Sequence, residues 1–94
     1  MLKIRGICFF RAVDKYVEAG TYDKTYLLSK TLNQLEQELS PDDFVRIHRS
    51  SIINLNHIEK IIRWFGGRYK VRLKDKNKTE HDVSRNARYK LGIV

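Results

Sequence analysis

One cysteine, Cys8, is the only thiol in this chain of 94 residues. That excludes an intramolecular disulfide and any multi-cysteine metal site, and it points to a reducing, cytoplasmic setting. Its place in the apolar run Ile7-Cys8-Phe9-Phe10 marks it as a small buried hydrophobe rather than a reactive thiol. No stretch approaches the roughly 20 apolar residues that a membrane span needs, and the N-terminal apolar run is too short for a signal peptide. The three histidines, His48, His57 and His81, lack a metal-ligand spacing such as H-x-x-x-H. Gly66-Gly67 is followed by no Lys-Ser/Thr, so it makes no phosphate-binding loop. Internal repeats, low-complexity tracts and linkers are absent too. The expectation is a single domain over residues 1–94 that is no enzyme and takes no cofactor, metal or membrane as partner.

What the chain has instead is positive charge. The net charge is +8, with hydrophobic residues at 41%, the composition of a globular domain with an anionic partner, nucleic acid before acidic protein or membrane surface. Simple solubility is the plain alternative. The charge is uneven: Met1 to Asp43 carries six Lys/Arg against seven Asp/Glu, whereas Phe44 to Val94 carries thirteen against four. The partner should therefore meet the second half.

Strands dominate the pattern. Ile4 to Ala12 is an apolar, β-branched and aromatic segment, followed by a turn at Asp14-Lys15, a strand from Tyr16 to Ala19, a turn at Tyr22-Asp23-Lys24 and a short strand around Thr25 to Leu28. A helix is expected from about Leu32 to Leu39, because Leu28, Leu32, Leu35 and Leu39 recur at helical spacing. Thr31 with Gln34 forms a capping box at its start, and Ser40-Pro41 ends it. Ile58 to Phe65 reads as a strand, Gly66-Gly67 as its hairpin turn and Arg68 to Lys74 as the return, with Tyr69, Val71 and Leu73 inward and a row of cations outward. That row is either a nucleic-acid surface or a solvated face that discourages edge pairing. After a turn at Asp75 to Lys78, Thr79 to Val83 is a final strand, and Ser84 can cap a short C-terminal helix with Ala87 and Leu91 on one face.

The stretch FVRIHRSSIINL, Phe44 to Leu55, carries the sharpest signal. Val45 and Ile47 alternate with Arg46 and His48 as in a strand with one buried face; Arg49, Ser50 and Ser51 then interrupt, before Ile52, Ile53 and Leu55 resume a core pattern. A plain loop would turn with Gly, Pro or Asp rather than His-Arg-Ser-Ser. Either Arg46 or His48 is alternatively a structural residue with a carboxylate partner.

Phe9-Phe10-Arg11-Ala12 with Asp14-Lys15-Tyr16-Val17, then Tyr26-Leu-Leu-Ser-Lys-Thr-Leu32, FVRIHRSSIINL, Gly67-Arg68 leading to RLKD, and Val83-Ser84-Arg85 together resemble the LytTR family of bacterial DNA-binding domains, in order and spacing, over nearly the whole chain. The resemblance implies an elongated, mainly β fold of small antiparallel sheets with one short amphipathic helix and a short C-terminal helix. It implies sequence-specific binding of double-stranded DNA through loops in successive major grooves, in bacterial transcription control, usually as the output domain of a two-component response regulator. A receiver domain or histidine-kinase pathway upstream and a dimer on DNA are open to it. Only Met1 to Gly6 precede Ile7, so the family's first strand is expected to be shortened or the segment excised from a longer chain.

Carried over by position, the DNA-facing residues are Lys15, then His48, Arg49 and Ser50, then Arg85 with Asn86 and Arg88. Their chemistry agrees. Arginine pairs bidentately with guanine O6 and N7, so Arg49 and Arg85 are the candidate base readers and Lys15 a weaker one. His48 and Ser50 suit phosphate oxygens, which fix position without reading sequence; Arg68, Lys70 and Arg72 would add field. Three other readings stay open. Tyr16, Tyr22, Tyr69 and Trp64 could stack single-stranded RNA bases, although Trp64 and Phe65 are better explained by hairpin packing. A protein-interaction domain could use the same basic surface, and His48 with His81 could form the acid/base pair of a ribonuclease.

Overall fold

The computed structural model describes residues 4–93. Eight strands follow in chain order: β1 (Phe9–Val13), β2 (Tyr16–Gly20), β3 (Thr25–Leu28), β4 (Phe44–His48), β5 (Ser51–Asn54), β6 (Ile58–Arg63), β7 (Tyr69–Leu73) and β8 (Glu80–Val83). One α-helix, α1 (Leu32–Glu38), separates β3 from β4. The strands form a five-stranded sheet in the order β3-β2-β1-β5-β4 and a three-stranded sheet β6-β7-β8, with every pairing antiparallel. The body is elongated, 38 × 26 × 26 Å. The mainly β architecture of small sheets with one short amphipathic helix is thus as expected.

The five-stranded sheet is covered on both faces. On one, α1 buries Leu32 and Leu35 against Phe10, Val17, Ala19, Phe44 and Ile52, with Leu28 and Leu39 packed at the margin. On the other, Phe9, Ile47 and Ile53 meet Val71, Leu73 and Val83 of the three-stranded sheet and Ala87 beyond it. Burying a side chain of this size contributes about 1.5–3 kcal/mol, so two such layers outweigh the poor local propensity of short strands. Val45 and Ile47 both pack into the second layer while Arg46 reaches α1 on the other side, as their alternation predicts. Ile52 and Ile53 are neighbours in sequence and both buried, one in each layer.

Local chemistry sets the boundaries. Thr31 Oγ1 accepts from the Gln34 N–H at 3.1 Å and the Gln34 side chain accepts from the Thr31 N–H at 2.8 Å, completing the capping box. The helix stops with Leu39 extended, one residue ahead of Ser40-Pro41. Gly20 faces Phe9 across the β1–β2 ladder, and the Phe9 ring occupies the space a Cβ would need. In the two-residue β1–β2 connection, Asp14 takes a left-handed φ of 53°, a conformation aspartate tolerates better than most residues.

Several expected boundaries moved. Ile4–Gly6 is a 3-10 turn rather than the start of a strand; of the Met1 to Gly6 segment expected to hold a shortened first strand, Met1 to Lys3 lie outside the described residues. The strand expected to reach Phe65 ends at Arg63, because Phe65–Gly67 forms a 3-10 turn closed by the Trp64 N–H to Arg68 O bond at 2.7 Å. The expected C-terminal helix is a 3-10 helix, Arg85–Leu91; Ser84 stands at its N-cap, but its side chain makes no capping bond. Instead the Ser84 N–H donates to Ile47 O at 2.8 Å and ties β8 to β4 across the two sheets.

Candidate nucleic-acid interface

The break in FVRIHRSSIINL is a β-bulge followed by a hairpin turn. Arg46 pairs with Ile52 and His48 with Ser51, leaving Ile47 as the extra residue, fully buried. A bulge bends its strand and sharpens the local twist. The connection that follows is only Arg49-Ser50, and neither residue has a positive φ. Two-residue hairpins usually need the primed turns, which use positive φ and favour Gly, Asn and Asp. Here side chains supply the missing support. His48 Nδ1 lies 2.8 Å from Ser50 Oγ and accepts from the Ser50 N–H at 3.2 Å. Arg46 donates through Nε to His48 O at 3.0 Å and through Nη2 to Arg49 O at 2.5 Å, while Nη1 reaches Asn33 Oδ1 and Glu36 Oε1 on α1, both at 2.9 Å.

Of the pair on which the sequence left the choice open, Arg46 is therefore the residue with a carboxylate partner. His48 and Ser50 are half-buried, whereas the Arg49 side chain is exposed and makes no hydrogen bond or ion pair with another described residue.

Topology places the other two segments beside this turn. The β1–β5 ladder ends at Arg11 and Ser51, and the Ala12 N–H donates to Ser50 O at 2.9 Å, so the Asp14-Lys15 and Arg49-Ser50 turns lie at the same end of the sheet. Lys15 and Arg49 line one cleft. On the far side of the turn, His48 lines a second cleft with Arg68, Ser84, Arg85 and Arg88. The His48 segment thus stands between Lys15 and Arg85 on one continuous edge. Lys15, Arg85 and Asn86 are exposed, and their side chains have no partner among the described residues. Arg88 differs. It is half-buried, with its guanidinium over the Tyr69 ring at 5.2 Å and Nη2 donating to Gly67 O, so it clamps the 3-10 helix to the β6–β7 hairpin.

The two cations on β7 itself, Lys70 and Arg72, are occupied, as is Lys78 in the turn that follows, whereas Arg68 and Lys74 have no side-chain partner among the described residues. Arg72 bonds Glu80 at 2.9 and 3.1 Å, Lys70 lies 3.9 Å from Asp82, and Lys78 bonds Glu59 at 2.8 Å. The Lys78 hydrogen bond holds the Glu59 carboxyl below the ordinary carboxylate range. Lys70, Arg72 and Lys78 are thus occupied, whereas Lys15, Arg49 and Arg85 at the edge made by the turns have no side-chain partner among the described residues. The sequence left open whether Arg46 or His48 is the residue with a carboxylate partner; the bulge at Ile47 and the position of α1 decide for Arg46.

The alternative chemistries find less support. His81 is 2% exposed, packed at 4.7 Å on the Phe9 ring, and burial pushes its imidazole down to about 4, the Arg11 charge adding to the effect. That is a core histidine, poorly placed to move protons on a substrate although it borders a small cleft with His48. His57 is structural as well, bonding Arg5 O through Nε2 at 2.9 Å with Nδ1 3.6 Å from Cys8 Sγ. Cys8 is 1% exposed, and burial raises its thiol pKa, as a structural cysteine requires. Tyr16 and Tyr22 stand at opposite ends of β2, and Arg88 covers Tyr69, so these rings form no continuous stacking platform. Hairpin packing does not describe Phe65, which is 82% exposed and edge-on to Trp64 at 5.7 Å.

Fold and edge together define a class: a small two-sheet β scaffold with exposed, unpartnered cations on the turns at one end. The comparison with known families supplies the rest. The sequence model described as the LytTr DNA-binding domain matches residues 1–92, and the chain belongs to that family, one of DNA-binding domains rather than enzymes. A solved LytTr DNA-binding domain from Bacillus cereus superposes with a TM-score of 0.86 at 26% identity, covering 98% of this chain and 86% of that one. Among curated proteins, the sensory transduction protein LytT of Bacillus subtilis is 35% identical over 74 residues, 79% of this chain and 31% of that protein. The transcriptional regulatory protein LytR of Staphylococcus aureus is 37% identical over 71 residues, 76% and 29% respectively. The chain spans about a third of the length of these relatives. No helix among the described residues is long and apolar enough to cross a membrane.

Proposed function

We propose that this chain is the DNA-reading domain, folded as one unit over residues 1–94, of a bacterial transcription regulator controlled by an upstream receiver domain or kinase pathway. It binds double-stranded DNA sequence-specifically by setting its turns into the major groove. Arg49 and Arg85 read guanine edges, with Lys15 as a third, weaker contact. His48, Ser50 and Asn86 meet phosphate oxygens and fix the register, while Arg88 supports the surface on which Arg85 and Asn86 stand. The names of the LytT and LytR relatives support the regulatory setting.

The observation that carries the reading is the continuous edge: three chain-distant segments presenting unpartnered cations at one end of the molecule, while Lys70 and Arg72 on β7 are paired internally. Fixed turns lose little conformational entropy on docking, which favours sequence discrimination over mere charge attraction. The test is selection of bound duplexes from a random pool. Recovery of a defined motif, bound more tightly than random duplex and than single strands of the same sequence, is the expected result. Enrichment of single strands, or no motif at all, refutes the reading. Two copies on a recovered palindromic motif would indicate the dimeric arrangement.

A further inference from the structure

We propose that Arg46 is a positioning residue for sequence recognition, coupling α1 to the Arg49-Ser50 turn without itself touching DNA. The inference rests on the reading of that turn as a DNA contact. The guanidinium is a planar fork, and here both sides are used. One side donates to two consecutive carbonyls of the turn, His48 O and Arg49 O; the other holds Asn33 and Glu36 on α1. Four of the five guanidinium N–H groups are engaged in these bonds and the Arg46 side chain is 18% exposed, so it has little left to offer a phosphate. The residue's own backbone is held too, since Lys90 Nζ donates to Arg46 O at 3.2 Å.

The backbone of the turn does not fix itself. It is a two-residue connection without positive φ, following a bulge, so the backbone by itself does not select one orientation for Arg49. A carbonyl gripped at the very residue whose side chain reads a base fixes the direction in which that side chain leaves the surface. Base readout by a bidentate arginine is directional, whereas attraction to phosphates is not. Loosening Arg46 should therefore lower discrimination between duplexes while leaving general affinity for DNA nearly intact. Lysine preserves the charge but offers a point donor in place of the fork, which makes Arg46→Lys the informative variant.

The duplex recovered by selection and a random duplex of equal length serve as probes, and the readout is the ratio of their affinities. Arg46→Lys should lower that ratio roughly tenfold, within the range of one lost base contact, with random-duplex affinity changed less than about twofold. In an Arg49→Ala background it should cause no further loss, because the group it positions is gone. The double variant Asn33→Ala/Glu36→Gln, on the exposed surface of α1, should lower the ratio in the same direction and keeps the test available if Arg46→Lys folds poorly. Amide hydrogen exchange at Arg49 and Ser50 in the free protein should quicken in all Arg46 and α1 variants. An unchanged ratio with slow exchange, or a loss additive with Arg49→Ala, overturns the inference. If Arg49→Ala itself leaves the ratio unchanged, the reading of the turn fails, and the exchange rates alone then decide whether Arg46 orders it.

Discussion

Two arginines of the basic half, Arg49 and Arg72, separate a contact role from a general charge role. Arg49 is exposed on a turn with no intramolecular partner among the described residues, whereas Arg72 is held by Glu80 at 2.9 Å and lies 4.0 Å from Glu59. On the proposed reading, replacing Arg49 by alanine removes one bidentate base contact, about 1–3 kcal/mol, so affinity for the selected duplex should fall roughly 5- to 150-fold. Random duplex should lose much less, since only one of several phosphate attractions is weakened. Arg72→Ala removes a half-exposed ion pair, about 0–1 kcal/mol of stability, and should leave the affinity ratio unchanged. Fluorescence anisotropy with labelled selected and random duplexes, alongside urea unfolding of each variant, measures both effects. Equal losses on the two duplexes for Arg49→Ala, or a fall in the ratio for Arg72→Ala as large as for Arg49→Ala, would refute the division between free and occupied cations.

Other consequences can be measured on the same protein. If Lys15, Arg49 and Arg85 are the cations that displace counterions, affinity for random duplex should fall with salt at a log–log slope of about −3; a slope near zero contradicts an electrostatic interface. Burial holds the His81 imidazole at about 4, against an unfolded value near 6.5, so the unfolded chain binds the extra proton between those values. Stability contributed by the neutral ring is then complete above pH 6.5 and declines by about 3 kcal/mol as pH falls toward 4. Denaturant midpoints of His81→Phe and the parent should converge or cross in that window, and parallel curves exclude the assignment. Thr31→Ala removes one half of the capping box and should cost about 1 kcal/mol, seen as a lower urea midpoint with the selected-duplex ratio unchanged. Gly20→Ala drives a methyl into the buried Phe9 ring and should destabilise by about 1–3 kcal/mol; a fully stable variant would show that the ring can give way.

The places where the sequence was legible share a property: the signal lies within a few residues. The capping box of Thr31 and Gln34 and the leucine stripe that follows announce α1 because helix contacts repeat every three or four positions. Alternation in Tyr69, Val71 and Leu73 announces β7 for the corresponding reason. Lys15, Arg49 and Arg85 could be singled out because their types and flanking motifs match a known family. Boundaries were less legible. Phe65 has a strand-forming side chain, yet left-handed Gly66 and Gly67 make a 3-10 turn of it, and the preference of the glycines outweighs that of the aromatic.

Sequence by itself determined the inventory: a chain with too little cysteine for disulfides, a positive second half, one short amphipathic helix among strands, and a polar interruption between two apolar segments. Tertiary structure alone decided which charges are available. Arg72 and Lys70 look as free in the sequence as Arg49 and Arg85, yet β7 lies between β6 and β8, whose carboxylates lie against them. Arg46 looks like one more basic residue, but a bulge at Ile47 and the packing of α1 across the sheet turn its fork onto the two carbonyls of the turn. Those partners are up to thirteen residues away along the chain, and their meeting is set by antiparallel register and by burial on both faces of one sheet. Neither constraint has a local signature, because each depends on segments that become neighbours only when the core closes.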